Sequence, residues 1–257
     1  PPPGHPLPAA IAQRLRGRYV VIQVPTLVRY KQWPIAHCIV LAGGLIADGL
    51  QVVLSGGPSA EDRARTAEVV QGVGAAGADD RLIDLAGALD LNQVVTLLRG
   101  AALYIGPDTS ITHLAAACET PLLALYGPID PRLFGPWPQG HAPTQPYLAR
   151  AMRQQPRVEL AAVSMSSTPH LSTSQPSTSQ SPVPPPITLL QGDPSCVPCN
   201  GMGCDGHRDS RSDCLETMTP QRVLAEARAL LGGAPLDARW TTIPIRLVSG
   251  RPRMATA

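Results

Sequence analysis

The chain has 257 residues, of which 44% are hydrophobic, and a formal net charge of +2. This length allows one sizeable domain or two small ones, each with its own core. The near-neutral charge argues against a dedicated nucleic-acid-binding protein, which normally carries a strongly basic surface. The longest apolar run, residues 38–47, is about half of the ~20 residues that a membrane-spanning helix needs, so we expect no transmembrane helix.

Apolar runs and helical stretches alternate between residues 19 and 135. The predicted strands cover residues 19–24, 51–55, 81–85, 101–105 and 121–126. The predicted helices cover residues 34–48, 59–71, 90–100 and 111–118. Strands this apolar, alternating with helices, indicate a parallel sheet that is covered on both faces. We therefore predict an α/β fold, a doubly wound, Rossmann-like parallel sheet of five strands in residues 19–137.

The residues outside this unit differ from it in composition. Residues 138–190 are predicted to be an irregular, largely disordered insertion, because 17 of the 23 residues from 164 to 186 are Ser, Thr or Pro. Residues 191–232 hold a cysteine-rich segment and a C-terminal helix that begins at Thr219-Pro220. We expect residues 1–18 to be a linker and residues 233–257 to be a frayed tail.

The loop after the fourth strand has the composition of an anion-binding site. In a doubly wound sheet, ligands bind where the strands end and the next helices begin. Asp108 is predicted to cap the helix that follows, which would leave the amides of Thr109 and Ser110 free to bind an anion. His113 falls one turn further along the same helix. The alternative is that Asp108 is an ordinary cap and His113 an ordinary histidine.

A single cation stands out in the loop after the first strand. Lys31 is the only lysine of the chain, and it lies between Arg29 and Trp33-Pro34. A cation at this position could bind a phosphate, although a lysine is more often a solvated surface residue. Trp33 is predicted to anchor the loop by packing.

Three motifs taken in order resemble glycosyltransferase family 9. They are K-x-W-P after the first strand, S-G-G-P-x-x-E after the second, and G-P-D-T-S-x-x-H-L-A-A-A after the fourth. This family contains the ADP-heptose:lipopolysaccharide heptosyltransferases of Gram-negative bacteria, whose GT-B fold places two Rossmann-like domains across a cleft. The resemblance covers about residues 19–137, the cysteine cluster and the terminal helix, and it corresponds to the C-terminal half, which binds the nucleotide sugar.

The resemblance implies donor-binding roles for residues in two loops. Thr26 and Lys31 are similar to positions that contact the donor diphosphate. Asp108, Thr109 and His113 match the signature loop at the donor site.

Three further residues are implied to lie near the nucleotide. Glu61 resembles an acidic position beside the ribose, and Leu89 falls near the region that lines the adenine pocket. Ser110 stands where the family usually has Gly, so its backbone is expected to adopt a conformation that Gly normally supplies.

The resemblance also implies a reaction. A heptose, or a related sugar, would pass from a nucleotide-diphosphate donor such as ADP-heptose to the lipopolysaccharide core, with inversion and without a catalytic metal. The sequence contains no D-x-D pair, which metal-dependent sugar transferases use. The family's catalytic carboxylate base belongs to the N-terminal acceptor domain, which is not expected in these residues. The enzyme is expected to be cytoplasmic and peripheral to the inner leaflet of the inner membrane, with no nucleic-acid partner.

Two other classes of function remain open at this point. The chain could be a non-catalytic module that binds a nucleotide or nucleotide sugar, or a truncated, inactive gene product. An NAD-dependent enzyme is disfavoured, because no G-x-G-x-x-G follows the first strand.

The cysteines form two groups. Cys38 and Cys118 lie singly in apolar stretches and are predicted to be core residues. The other four crowd into one segment and permit three states: a structural metal site, with zinc as the metal, reduced packing cysteines, or disulfides, which are disfavoured in the cytoplasm. These four are Cys196, Cys199, Cys204 and Cys214. No metal is expected to take part in catalysis.

Overall fold

The computed structural model describes residues 2–74, 80–137, 187–232 and 245–248. In these ranges the strands form one parallel sheet of seven, in the order β3-β2-β1-β4-β5-β6-β7. The strands are β1 (Tyr19–Gln23), β2 (Gln51–Ser55), β3 (Leu82–Asp84), β4 (Leu103–Pro107), β5 (Leu122–Tyr126), β6 (Ile187–Gln191) and β7 (Ile245–Val248). Because the order reverses between β1 and β4, the loops after these two strands meet at the topological switch point where doubly wound sheets bind ligands.

Helices cover both faces of this sheet. They are α1 (Ala9–Arg14), α2 (Ile35–Ala47), α3 (Ala60–Val73), α4 (Leu91–Gly100), α5 (Ser110–Ala117), α6 (Pro131–Phe134), α7 (Asp213–Glu216) and α8 (Pro220–Leu231). Successive strand residues point to opposite faces. Val20 and Ile22 therefore pack with α2, α3 and α8, whereas Val21 packs in a second cluster with α4 and α5. The prediction of a doubly wound α/β fold is confirmed.

The predicted helix starts are confirmed at three positions. The Ser59 hydroxyl accepts a hydrogen bond from the Asp62 amide (3.0 Å), and Asp90 forms a capping box with Gln93. The Thr219 hydroxyl accepts from the Arg222 amide, with proline in the first turn of α8. These caps satisfy amides that a helix leaves unpaired at its beginning.

The five strands predicted within residues 19–137 are confirmed, and two further strands from outside this range extend the sheet. Four of the five residues of β6 (187–190) lie in the predicted irregular insertion, and those of β7 lie in the predicted tail. Only three of its five residues are apolar and it follows a proline-rich stretch, so β6 carries little strand signal of its own. β6 is stabilised by pairing with β5, which is about sixty residues earlier in the chain. The rest of the predicted insertion, residues 138–186, and most of the predicted tail lie outside the described residues.

The N-terminal segment, predicted as a linker, is packed against the domain. Leu7, Ile11 and Leu15 contact the core cluster on the α4 side of the sheet. The His5 amide donates to the Asn92 carbonyl (3.0 Å), and further bonds from α4 reach the same segment. Among the described helices, none has the length and apolar character that a membrane crossing requires.

Candidate functional site

The loops after β1 and β4 bring Lys31 and Asp108 together. Lys31 ends a short 3-10 turn, Arg29–Lys31, and Asp108 follows β4 directly. The Lys31 Nζ donates to Asp108 Oδ2 over 2.6 Å, although the two residues are 77 positions apart. The aspartate side chain is 8% exposed and the lysine side chain 24%. Lys31 is therefore held by one of its three donor hydrogens, while the others can reach a ligand.

Asp108 does not cap helix α5, so that prediction was wrong. The N-cap residue is Thr109, and its side chain makes no capping hydrogen bond. The carboxylate turns instead toward Lys31 and, with its other oxygen, toward the Tyr126 hydroxyl (3.4 Å) and His113 Nε2 (3.6 Å). A charged lysine is a stronger partner for a carboxylate than a neutral backbone amide. As a result, α5 begins with amides that no side chain caps.

The charges around Asp108 keep it ionised. Burial raises the pKa of its carboxyl, but His113 and Lys31 lower it by more, so that the pKa lies below its ordinary value. The uncapped amides and the dipole of α5 point to the same edge of the sheet as Lys31. This edge therefore offers positive charge to an anion, with Asp108 as the buried counter-ion that fixes the lysine.

A buried network fixes the loop behind this pair. The Tyr104 hydroxyl and the Thr112 hydroxyl are 2.8 Å apart, and Thr112 also donates to the Pro107 carbonyl. The Tyr126 hydroxyl donates to the Phe134 carbonyl (2.8 Å). Sequence reasoning missed Tyr104, Thr112 and Tyr126 as parts of the site. The two tyrosines lie within apolar strands, and Thr112 is a small residue inside a helix.

The loop after β1 is shaped by its own residues and by the cysteine-rich segment. The Thr26 hydroxyl donates to the Val28 carbonyl (2.6 Å), so its hydrogen forms a bond within the loop. The Trp33 indole is buried and donates to the Met218 carbonyl (2.9 Å), which confirms the predicted anchoring role. The Ser212 hydroxyl donates to the Tyr30 carbonyl (2.7 Å).

Three more predicted residues lie at the same edge of the sheet. Glu61 is exposed in the first turn of α3, after β2. Leu89 lies after β3 and packs against the core cluster on the α4 side. Ser110 is exposed and begins α5 in ordinary helical backbone, so the expected Gly-like conformation is absent there. Among the described residues, the hydrogen bonds and ion pairs do not join Glu61 or Leu89 to Lys31 and Asp108.

All six cysteines are free thiols. Cys38 and Cys118 are buried, as predicted, and burial raises the pKa of Cys38 to about 12. Cys214 is also buried, and burial together with neighbouring cysteines raises its pKa to about 12. Among the described residues, no group of three or more His, Cys, Asp or Glu side chains is arranged to hold a metal ion. The structure thus gives no support to disulfides, and a structural metal in this segment stays a prediction.

The family model described as glycosyltransferase family 9 (heptosyltransferase) matches residues 8–149, just over half of the chain. The chain belongs to glycosyltransferase family 9. It is 35% identical over 119 residues to lipopolysaccharide heptosyltransferase 3 of Escherichia coli, and 38% identical over 101 residues to lipopolysaccharide heptosyltransferase 2 of Salmonella typhimurium. These alignments cover 46% and 39% of this chain. They cover 34% and 28% of the relatives, so the chain spans about a third of their length.

A solved structure shares the fold. The E. coli ADP-heptose lipopolysaccharide heptosyltransferase II matches 83% of this chain and 46% of its own, with a TM-score of 0.55 and 24% identity. The site residues Lys31, Asp108 and His113 all fall within the stretch that the family model matches.

Proposed function

We propose that this chain binds the nucleotide-sugar donor of a heptosyltransferase. The observation that carries the proposal is the 2.6 Å contact between Lys31 and Asp108 beside the uncapped start of α5. A lysine with free donor hydrogens and a helix N-terminus are two of the features that bind phosphate groups in proteins. Family membership supports a diphosphate as the anion.

The donor we propose is ADP-heptose, and the acceptor is the lipopolysaccharide core. The relatives named above are lipopolysaccharide heptosyltransferases, and one is an ADP-heptose enzyme by its description. Work on the core would place the enzyme in the cytoplasm, at the surface of the inner membrane. Glu61, in the first turn of α3, and Leu89, in the loop after β3, would contact the ribose and the adenine.

The proposed transfer is inverting, and groups of the protein would stabilise the leaving diphosphate. As the bond between the sugar and the diphosphate breaks, negative charge grows on the leaving diphosphate. Lys31 and the dipole of α5 would stabilise that charge without reorganising, because both are already held in place. His113, with a side chain that is 44% exposed, would add a donor on the solvent side.

The base that deprotonates the acceptor hydroxyl would come from outside this chain. Asp108 is the carboxylate at the site, but a carboxyl whose pKa is lowered and whose charge is shared with Lys31 is a weak base. We therefore expect the 257-residue chain to bind the nucleotide and to transfer no sugar.

The binding test is a calorimetric titration of the chain with ADP, UDP and GDP. The Lys31→Ala variant should bind ADP at least about tenfold more weakly, because it loses a charged hydrogen bond to phosphate. The Lys31→Arg variant should recover part of the affinity. Arg14→Ala, which removes an exposed cation from α1, is the matched control and should bind like the unchanged chain.

Equal ADP affinity in the Lys31→Ala variant would refute the proposed role of this lysine. Tighter binding of UDP or GDP than of ADP would refute adenine recognition.

A second candidate function is a nucleotide-binding module without transferase activity. The observation that favours it is that His113 and Lys31 lower the pKa of Asp108, so the carboxylate at the site is a weak base. An assay with labelled ADP-heptose and a truncated lipid acceptor separates the two, when it is run with the chain alone and with a version extended to the length of the relatives. Transfer by the extended version alone supports the heptosyltransferase, and transfer by neither supports the module. Transfer by the chain alone would show that the base lies within these residues.

A further inference from the structure

A second positively charged feature lies beside the loop after β1. It is a cavity of about 170 Å³ between this loop, helix α3 and the cysteine-rich segment. Its lining consists of Arg29, Gln32, Trp33, Pro34, Ile35, Arg65, Arg211 and Glu216. The eight residues predicted to bind the donor are all described by the structure, and none of them lines the cavity.

The lining carries more positive than negative charge. Three arginines and one glutamate give the cavity a net formal charge of +2. Within the described part of the chain, the side chains of Arg29, Arg65 and Arg211 have no hydrogen bond or ion pair, and the Arg65 Nε is buried without a partner. Guanidinium groups that share a cavity repel one another, and a buried donor without an acceptor is costly, so an anion would satisfy both.

The first turn of a helix adds to this charge. Pro34 is the N-cap of the 13-residue helix α2, and Pro34 and Ile35 both line the cavity. Proline offers no side-chain acceptor, and the structure shows no side-chain cap at this end. The positive end of the α2 dipole therefore faces the cavity, and the three arginines line it as well.

The size of the cavity limits its occupant. Sites for whole drug-sized ligands measure about 300–1,000 Å³, and one water occupies about 30 Å³ in the liquid. A space of about 170 Å³ is too small for a nucleotide sugar but accommodates one phosphate group with some water. Arginine forks match the oxygens of such a group in bidentate geometry.

We propose that this cavity binds a single phosphate group, separately from the Lys31–Asp108 pair. The short turn that carries both sites directs Lys31 to Asp108 and Arg29 to the cavity. The turn is fixed to the cysteine-rich segment by the bond from the Arg29 amide to the Arg208 carbonyl (3.0 Å), so the segment that supplies Arg211 is held against the loop. The phosphate group belongs either to a soluble phosphate ester or to a lipid headgroup.

The test uses inorganic phosphate as the probe and the full chain labelled with ¹⁵N. At constant ionic strength, phosphate should shift the Nε–Hε signals of Arg29, Arg65 and Arg211. The variants Arg65→Gln and Arg211→Gln should each raise the phosphate Kd about tenfold, the loss expected for one charged hydrogen bond. Arg63→Gln, an exposed position on α3 outside the lining, is the matched control and should leave the Kd unchanged.

A further variant separates this proposal from the donor site. Lys31→Ala should leave the phosphate Kd at the cavity unchanged, whatever it does to ADP. The proposal is overturned if phosphate fails to shift the three arginine signals, or if Arg65→Gln and Arg211→Gln bind phosphate like the unchanged chain.

The source of the phosphate is tested with vesicles. Phosphatidylcholine vesicles that contain phosphatidic acid should capture the chain if the group is lipid-borne, and Arg65→Gln should abolish the capture. Binding of inorganic phosphate without vesicle capture assigns the site to a soluble ester. Either result supports the phosphate site, provided that inorganic phosphate shifts the three arginine signals, and without those shifts the proposal is overturned.

Discussion

One buried aspartate, Asp108, organises the candidate site. Its carboxylate holds Lys31 at 2.6 Å and faces Tyr126 and His113 with its other oxygen. Because Asp108 is bonded to Lys31 rather than to the amides of α5, the same residue fixes the cation and leaves the helix N-terminus available. The two positive elements of the site thus depend on one side chain.

The Asp108→Asn variant should be less stable by about 1–3 kcal/mol at pH 7, because it removes the counter-ion of a half-buried lysine. The pKa of Asp108 is lower in the folded than in the unfolded state. The contribution of the ionised Asp108 to the free energy of unfolding is therefore complete above the unfolded pKa of about 4. It is lost as the pH falls through the folded pKa. The difference between the two proteins should shrink below pH 4. Urea unfolding at several pH values measures it.

The control for this variant is Asp209→Asn, which changes an exposed aspartate. Its stability should follow that of the unchanged chain at every pH. A stability difference for Asp108→Asn that is the same at pH 7 and pH 3 would contradict the role of the ionised carboxylate.

At the scale of the elements, the end of β4 requires a residue without a side chain at Gly106. A Cβ on Gly106 would lie 2.4 Å from the Tyr104 hydroxyl and 2.9 Å from the Gln23 Cβ. The Tyr104 ring is fully buried and its hydroxyl is bonded to Thr112, so the Tyr104 side chain cannot move aside freely. The packing explains the glycine that precedes Pro107 in the signature loop.

Gly106→Ala should therefore destabilise the domain by about 1–3 kcal/mol, the usual cost of overpacking a core. Gly43→Ala is the matched control. Gly43 lies inside α2 and a Cβ there meets nothing within 4 Å, so this change should stabilise the helix by up to about 1 kcal/mol. Thermal unfolding of both variants gives the sign of each effect. A stable Gly106→Ala protein would show that the Tyr104 network yields easily.

The sequence predicts those elements whose signal is local. Strands such as β1 and β2 have runs of β-branched and other apolar residues at their centres, and the caps of α3, α4 and α8 lie within a few residues of the amides they satisfy. β6 escaped prediction because its stability comes from β5, a strand distant in sequence. Asp108 was misassigned for the same reason, since its decisive partner is 77 residues away. Rules based on neighbouring residues predict a bond from Asp108 to the nearby helix amides. They cannot predict that a lysine distant in sequence will compete for the same carboxylate.

At the scale of the whole molecule, one long connection joins two neighbouring strands of the sheet. β5 ends at Tyr126 and β6 begins at Ile187, so 60 residues separate two strands that are neighbours in the sheet. The free energy of closing such a loop depends only on the logarithm of its length. The sheet therefore tolerates changes in this connection.

Deletion of residues 164–186 should leave the fold intact. Shortening the connection from 60 to 37 residues changes its closure free energy by about 0.4 kcal/mol, in the stabilising direction. Urea unfolding of the deletion variant should give a midpoint close to that of the unchanged chain. A loss of several kcal/mol would show that the deleted residues contribute contacts of their own.

The same connection has a consequence for the nascent protein. A ribosome that adds about 5–20 residues per second needs about 3–12 s to pass from β5 to β6. During that interval the outer edge of β5 presents unpaired backbone groups, a template on which other unfinished chains can add a strand. Lys31, Asp108 and Tyr126 have by then all been synthesised, whereas Ser212 and Met218, which hold the loop after β1, have not. The loop after β1, and with it the candidate site, is therefore among the last parts of the domain to become rigid.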